Sequence, residues 1–356
     1  MIDITRRRFM EYVMASGATL MLPKFSFGAN WPDRPITGVI GYSAGGGTDT
    51  IARGIAGGME PFIGGTVNCI NQPGATGGIA TDFVLKKPSD GYWLLFTSNY
   101  NKFLRVTKKH DSIPWKEWQF YRLSSTMMSF AVTPDSPIKD FSDFIDMAKK
   151  NPGKISIGNS GVGGTWHIGA LLLEKAAGIK LHHIAYKGGK KATLAALQGE
   201  IDIVGNGIHE QISTIKAGKL RNLCVFDSKP MKLGGFEFEP ITKYLPAAAD
   251  DCPYGGGTTP ALKRDTDPEI LKKYAMAFEK GQNDKNYTQI LAKKGINKLF
   301  RFGADADKDA ARNEVVTATL LYESGVGKAH PQKDLGLPKL EDFNSWWPPK
   351  DYQPMF

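Results

Sequence analysis

The sequence predicts an α/β protein of two lobes, each built on a mainly parallel sheet flanked by helices. Short apolar runs typical of buried strands alternate with segments of helical periodicity, and this order of elements occurs twice along the chain. The length of 356 residues, with 41% hydrophobic and 23% charged residues, is ordinary for a globular protein of two domains.

The first α/β unit follows directly from this alternation. A crossover helix between successive strands places those strands parallel and puts the helices on the faces of the sheet. The predicted elements are strands Ile36–Ile40, Thr66–Ile70 and Trp93–Thr97, with helices Thr48–Glu60 and Ile79–Lys86 between them.

The second unit repeats the order after residue 130. Asp140 is a suitable N-cap for a helix starting at Phe141, and Asn151-Pro152-Gly153 ends that helix. The further predicted elements are strands Ile155–Ile157, Leu181–Ala185 and Ile201–Val204, with helices Trp166–Ala177 and Lys190–Gln198.

The remainder of the chain is predicted to be mainly helical. Asp267-Pro268 is a strong start for a helix through Phe278, because proline is well tolerated in the first helical turn. Further helices are expected over Tyr287–Lys294 and Lys308–Ser324. The tail beyond Val326 is expected to lie as an irregular strap on the protein's own surface, with a docking role for its tryptophans as the alternative.

Two glycine-rich turns join a strand to a helix, at Gly45–Asp49 and at Gly158–Thr165. Such a turn directs backbone N–H groups and the positive end of a helix dipole at one point. Each helix end contributes only about 0.3–1 kcal/mol, so two of them suggest an anion held between the units. Thr48 is expected to take part, whereas Asp49 is expected to cap the helix because its charge would repel an anion.

The first 29 residues are predicted to form an export signal. Thr5–Met10 (Thr-Arg-Arg-Arg-Phe-Met) fits the twin-arginine pattern, and the apolar segment Tyr12–Leu22 is too short to span a bilayer. Cleavage is expected near Ala29, which places the mature protein in the periplasm. The alternative is a cytosolic protein with a basic start.

The charge distribution argues against a nucleic-acid-binding protein, and the cysteine spacing argues against a zinc or redox site. The formal net charge is +9, of which residues 1–29 carry +2, so the mature chain keeps +7. The basic residues are spread out and form no nucleic-acid motif, so a solvated basic surface is the favoured interpretation. Cys69, Cys224 and Cys252 match no zinc or redox spacing, and a buried structural role is expected, with a Cys224–Cys252 bridge as the alternative.

Several motifs in the same order resemble the extracytoplasmic solute receptors of tripartite tricarboxylate transporters (TctC/Bug type). The resemblance runs from about Trp31 to Gly327. It rests on Trp31–Ile36, Ala44–Asp49, Ile51–Arg53, Asn71 with Pro73–Ala75, Asp90–Tyr92, Tyr186–Gly188 and Ala217–Arg221. Each motif alone is weak, and their order over this length is what makes the signal strong.

The resemblance implies a two-lobed, type II-like periplasmic-binding-protein (Venus flytrap) fold that closes on a carboxylate. In the family, loops corresponding to Ser43–Asp49 and Asn159–His167 hold the ligand through backbone amides and waters. The expected division is a signal peptide over 1–29, one lobe from 30–128 and 227–328, a second lobe over 129–226 and a C-terminal extension over 329–356. The implied partners are a small organic carboxylate and the permease subunits of the membrane, with the receptor itself a monomer.

The binding site is predicted from these loops together with nearby positions. Asn99 and Tyr100 follow a strand, where open α/β sheets bind ligands. Tyr42 and Trp166 are expected to wall the cleft, and Asn206 stands where many relatives carry an acid. The predicted ligand-binding residues are Tyr42, Ser43, Gly45, Gly46, Gly47, Thr48, Asn99, Tyr100, Asn159, Ser160, Gly161, Gly164, Thr165, His167 and Asn206.

Catalytic and metal sites are not predicted. His182 and His183 lie in a predicted strand, where neighbouring side chains point to opposite faces. The sequence contains no H-E-x-x-H, G-x-S-x-G or P-loop motif. A non-enzymatic receptor without cofactor is therefore expected. The alternatives are an exported enzyme with a phosphate-bearing cofactor and a carboxylate sensor that reports to a membrane kinase.

Overall fold

The protein has an α/β architecture with two mixed sheets flanked by helices. The structure, a computed structural model, describes residues 31–98, 103–108, 111–325 and 328–356. The predicted export signal and the predicted ligand residues Asn99 and Tyr100 lie outside the described residues.

The described elements alternate as the sequence predicts in both α/β units. The strands are β1 (Ile36–Ile40), β2 (Val67–Asn71), β3 (Trp93–Thr97), β4 (Trp118–Phe120), β5 (Arg122–Val132), β6 (Ser156–Asn159), β7 (His182–Ala185), β8 (Ile203–Gly207), β9 (Arg221–Val225), β10 (Met231–Leu233), β11 (Phe236–Phe238), β12 (Gly255–Gly256), β13 (Thr259–Lys263) and β14 (Asn297–Arg301). The helices are α1 (Gly47–Ile63), α2 (Gly78–Leu85), α3 (Phe103–Val106), α4 (Pro114–Glu117), α5 (Phe141–Lys150), α6 (Thr165–Ala177), α7 (Gly189–Leu197), α8 (Ile208–Lys216), α9 (Pro268–Gly281), α10 (Lys285–Lys294), α11 (Gly303–Glu323) and α12 (Phe343–Trp346).

The first sheet has the strand order β2-β1-β3-β13-β4. Strand β1 pairs in parallel with β2 and β3, as a β-α-β-α-β unit requires, and β13 adds to this group in the antiparallel sense. A buried apolar cluster that includes Ile36, Ile55 and Phe278 joins this sheet to helices α1 and α9.

The second sheet has the strand order β12-β5-β8-β6-β7, with β9 and β14 also paired to β5. Strand β6 is parallel to β7 and β8, whereas all partners of β5 are antiparallel. The predicted parallel groups are therefore present, and antiparallel strands extend both sheets.

The largest difference between the structure and the sequence prediction is a set of strands outside the two predicted α/β units. The three helices predicted for the remainder are present as α9, α10 and α11, but residues 221–263 contain five strands, β9 to β13, that were not predicted. The long strand β5 was also missed. Most of its residues are buried on both faces, so its sequence lacks the alternation of polar and apolar residues that marks a strand.

The helices begin and end at residue types that favour helix ends. The side chains of Asp140, Asp267 and Asp284 each accept a hydrogen bond from a first-turn N–H group. Gly64 and Gly178 end α1 and α6 in the left-handed conformation that favours glycine.

The C-terminal tail packs on the protein itself. Trp346 and Trp347 contact Trp115 edge-on, with ring centroids 6.0 and 6.2 Å apart, and the Tyr352 hydroxyl donates to Asp307. The aromatic rings of the tail are therefore used in its own packing. The three cysteines are free, so the alternative of a Cys224–Cys252 bridge is not observed.

Among the residues that the structure describes, no helix combines the length and the apolar character needed to cross a bilayer.

Candidate functional site

A cavity of about 640 Å³ lies where four helices begin, namely α1, α6, α7 and α8. Each of these helices follows a strand, β1, β6, β7 or β8, and the N-cap residue of each is a glycine, which has no side chain to cap the helix. Uncapped helix starts carry partial positive charge and free donors, so their convergence favours a bound anion.

The first glycine-rich turn is held in shape by Asp49. The N–H of Gly45 donates to Asp49 Oδ2 (2.9 Å), and the other oxygen, Oδ1, accepts from Arg53 Nε (2.9 Å) and Asn71 Nδ2 (2.7 Å). We call Gly45 and Asp49 the first clasp. Asp49 thus stabilises the turn and the helix start, as its sequence position predicts.

This arrangement engages two of the predicted donor N–H groups within the turn itself. The N–H of Gly46 donates to the Ser43 carbonyl (3.3 Å), and that of Gly45 is taken by the first clasp. Both glycines line the cavity, but their N–H groups are engaged within the turn. Gly47 and Thr48 begin α1 and line the cavity, where the Gly47 N–H faces the carboxyl group of Glu210.

The second glycine-rich turn is held in shape by His167. The N–H of Gly163 donates to His167 Nδ1 (3.0 Å), four residues along, and we call this pair the second clasp. The N–H of Gly161 donates to Asn159 Oδ1 (3.0 Å), and that of Gly164 donates to the Gly161 carbonyl (3.0 Å).

The second turn therefore brings only part of the predicted set to the cavity. Ser160 and Thr165 line the cavity. The other predicted residues of this turn do not line it and make hydrogen bonds within the turn, namely Asn159, Gly161, Gly164 and His167. His167 is fully buried, and this burial, with His183 beside it, lowers the pKa of the imidazole to about 3. It is a neutral hydrogen-bond acceptor, so the prediction of a ligand contact gives way to a positioning role.

Asn206 also lies behind the cavity. It is fully buried, and its Nδ2 donates to the Gly189 carbonyl (2.9 Å) and to Thr193 Oγ1 (3.0 Å). Its Oδ1 accepts from Gln211 Nε2 (2.7 Å). These bonds occupy the amide, so Asn206 fixes the start of α7 and does not reach the cavity surface as predicted.

The apolar wall of the cavity includes the two predicted aromatic residues. Tyr42 and Trp166 line it, and the Tyr42 hydroxyl accepts from Ser98 Oγ (2.7 Å). Leu194 and Leu197 on α7 add side chains that are 52% and 36% exposed. Exposed leucines next to a cavity offer contact area to an apolar part of a ligand.

The sequence analysis missed the charged residues of the cavity. Lys187, Lys190, Lys191 and Lys294 line it, and Glu210 is the acidic residue among the lining residues. Glu210 lies in the first turn of α8, a helix that was not predicted. The apolar spacing of Ile208, Ile212 and Ile215 along one helical face was the signal available for it.

Helices α1 and α8 approach each other closely at the cavity. A Cβ atom on Gly47 would lie 2.3 Å from His209 Nε2, so only glycine fits there. His209 is buried, and its Nδ1 lies 3.2 Å from Thr126 Oγ1. Burial and the Lys294 ammonium lower the pKa of His209 to about 3, so it is neutral.

Metal ligation is not supported by the residues that the structure describes. No group of three or more His, Cys, Asp or Glu side chains is placed to hold an ion in those parts of the chain. His183 Nε2 lies 3.2 Å from Glu174 Oε1 instead, and His182 is exposed.

Comparison with known proteins gives one consistent family. The family model described as the tripartite tricarboxylate transporter family receptor matches residues 51–314. A UPF0065 protein in the gbd 5′ region of Cupriavidus necator is 29% identical over 330 residues, which cover 91% of this chain and 99% of that protein.

Two solved structures are similar in fold. The periplasmic binding protein BugD superimposes with a TM-score of 0.74 at 24% identity, covering 83% of this chain and 99% of that one. MatC from Rhodopseudomonas palustris, solved with bound malate, has a TM-score of 0.72 at 20% identity, covering 81% of this chain and 100% of that one.

Proposed function

Because the chain belongs to the receptor family of the tripartite tricarboxylate transporters, we propose that it captures an organic carboxylate for the permease subunits of such a transporter. The family predicted from the sequence motifs is thereby confirmed, and so is a non-enzymatic solute receptor. The observation that carries the carboxylate proposal is the cavity, where four uncapped helix starts and four lysines meet a single acidic side chain.

The ligand carboxylate is seated between the start of α1 and the second glycine-rich turn. On one side the proposed donors are the N–H groups of Thr48 and of Gly47, the latter shared with the Glu210 carboxyl group, and on the other side Ser160 and Thr165 line the cavity. Each helix end stabilises an anion by about 0.3–1 kcal/mol, or about 2 kcal/mol when partly buried. Bridging waters add bonds of similar quality where a direct contact is too long.

The body of the ligand lies against the apolar wall. Tyr42, Trp166, Leu194 and Leu197 provide that surface, and the lysines beyond it suit a second carboxylate. A di- or tricarboxylate, or an aromatic carboxylate, fits this combination of charge and apolar area.

Ligand capture closes two lobes, formed by residues 30–128 with 227–328 and by residues 129–226. A ligand favours closure only when it contacts both lobes in the closed state. Gly47 and His209 belong to different proposed lobes and meet at the cavity, so a ligand seated there can contact both lobes.

The receptors of this family are periplasmic, and we place the present chain there as well. Export by the twin-arginine route rests on Thr5–Met10, and we expect the receptor to act as a monomer. Its partner is then the integral-membrane permease of the transporter.

A thermal-shift panel tests the carboxylate proposal. The protein is freed of carried-over ligand by dialysis from denaturant, refolded and melted with malate, adipate, citrate and benzoate. A ligand at about 100 times its dissociation constant adds about 2.7 kcal/mol of stability, which gives a clear shift. The matched controls are the corresponding uncharged amides, which should give no shift. A folded, ligand-free protein that no acid stabilises contradicts the proposal.

A further inference from the structure

The carboxyl group of Glu210 lies at the same helix ends as the proposed ligand carboxylate. A Cβ atom on Gly47 would lie 3.3 Å from Glu210 Oε1, and one on Gly189 would lie 1.7 Å from Oε2. The group therefore sits between the starts of α1 and α7, in the first turn of its own helix α8. Its Oε2 atom is buried and has no hydrogen-bond partner.

The charged groups around Glu210 are predominantly basic. Lys190 and Lys191 on α7, with Lys187 just before it, line the cavity, and Lys294 reaches it from the end of α10. On the α1 side the nearby acid, Asp49, is held in the first clasp and paired with Arg53. The other titratable groups facing the cavity are neutral. Burial raises the pKa of Tyr42 to about 12, and His209 is uncharged because its pKa is about 3.

Burial and the neighbouring donors act on Glu210 in opposite directions. Burial raises the pKa of Glu210 to about 7, although the Gly47 N–H, the Lys294 ammonium and the Lys190 N–H favour the charged form. Near neutral pH both the protonated and the ionised form of Glu210 are therefore populated. A second carboxylate brought to the same place favours the protonated form further, because two carboxylates that share a site cannot both stay ionised at low cost.

We propose that Glu210 takes up one proton from water when ligand binds and then donates a hydrogen bond from its carboxylic acid to the ligand carboxylate. This inference rests on the proposed function and names the group that sets its pH dependence. The buried Oε2 gains the partner that it lacks, and the ligand keeps its negative charge at the helix ends and lysines. An ammonium group as the partner of Glu210 is disfavoured, since the same lysines and helix starts repel it.

Affinity measured against pH tests the proposal. Adipate and malate serve as probes from about pH 6.5 to about pH 8.5, where ordinary carboxylic acids stay ionised. The wild-type affinity should fall by up to about tenfold per pH unit above about pH 7, because one proton is taken up with the ligand. Glu210→Gln, which keeps the shape and a donor, should bind with little pH dependence and more tightly than wild type at about pH 8.5.

The matched control is Glu237→Gln, an exposed acid on β11 that does not line the cavity. It should keep the wild-type pH dependence. Calorimetry in two buffers of different ionisation enthalpy counts the protons directly, and close to one proton should be taken up at about pH 8. A flat wild-type profile, or a Glu210→Gln variant that loses affinity at every pH, overturns the proposal. The second result would instead indicate recognition of a cationic ligand group.

A ligand-free measurement separates this inference from the proposed function. Because the folded state favours protonated Glu210, wild type should lose stability relative to Glu210→Gln as the pH rises from about 5 to about 8. An equal difference in melting temperature at both pH values contradicts protonation of Glu210. If no acid binds either protein at any pH, the proposed function fails and the ligand role of Glu210 fails with it, while the melting comparison still decides its protonation.

Discussion

The two glycine-rich turns at the cavity are held by the same device with different chemistry. In each turn a glycine N–H donates to a side chain four residues along, Gly45 to Asp49 in the first clasp and Gly163 to His167 in the second. The first acceptor is a carboxylate, and the second is a neutral imidazole. Both clasps orient a turn, and the helix that follows each turn begins after a glycine N-cap.

The difference follows from the surroundings of each acceptor. Asp49 lies beside partly exposed Arg53 and accepts from Asn71 as well, so its charge is compensated on the side away from the cavity. His167 is fully buried next to His183, where an ionised acceptor would lose its hydration without a counter-ion. An acidic side chain can therefore support the turn of an anion site when a basic group on the side away from the cavity compensates its charge.

The largest expected effect comes from placing a side chain between α1 and α8 at the cavity. Gly47→Ala places a Cβ 2.3 Å from His209 Nε2, and the buried His209 cannot move away cheaply. We expect carboxylate affinity to fall by about 100-fold or more, measured by calorimetry.

Gly57→Ala is the control in the same helix, since a Cβ there meets nothing within 4 Å. It should bind normally and be more stable by about 0.5–1 kcal/mol. Equal affinities of the two variants would contradict the assigned closeness of α1 and α8.

The second clasp should contribute most to stability. His167→Ala removes a buried side chain and leaves the Gly163 N–H without its acceptor, so we expect a loss of about 3 kcal/mol in urea unfolding. His182→Ala, at an exposed position on β7, should change stability by about 0.5 kcal/mol or less. Similar losses in both variants would show that His167 is not the specific support of its turn.

The first clasp should contribute somewhat less. Asp49→Ala removes the acceptor of the Gly45 N–H and the partner of Arg53, at an expected cost of about 2 kcal/mol. Asp82→Ala breaks an exposed pair with Lys86 and should cost about 0.5 kcal/mol or less. An Asp49→Ala protein as stable as the Asp82→Ala protein would rule out the clasp.

A further expected effect is a pH dependence of stability that arises from the second clasp. The pKa of His167 is lowered to about 3 in the folded protein, below its usual 6.5, so the unfolded chain binds more protons between those values. Stability should therefore fall as the pH falls through this window, by up to about 1.4 kcal/mol per pH unit.

The comparison of His167→Gln with wild type isolates this contribution. Glu210 and Glu314, whose pKa values burial raises to about 7, act in the opposite sense between about pH 4.5 and pH 7 in both proteins. A plot of melting temperature against pH should be less steep on the acid side in His167→Gln. Identical slopes would contradict a neutral, buried His167.

The sequence was sufficient to place both turns and the helices that follow them. Strand β1 and the start of α5 were predicted at the residues where they occur, because apolar runs and an aspartate cap are local signals. The hydrogen-bond partners around the cavity were not predictable. Asn71 reaches Asp49, and Gln211 reaches Asn206, only through the tertiary fold.

The charged face of the cavity was missed for a different reason. Glu210 and Lys294 lie 84 residues apart in the sequence, and only the packing of α8 beside α10 brings them to one cavity. Asn206 illustrates the converse error, because it lies within β8 near the cavity and still turns its amide inwards.

The most direct test is a crystal structure of the protein with the acid that stabilises it most in the thermal-shift panel. The account predicts a carboxylate oxygen about 2.7–3.2 Å from the N–H groups of Gly47 or Thr48, with the ligand also contacting Ser160 or Thr165. An acid bound outside this cavity, or one that touches neither turn, would contradict the account.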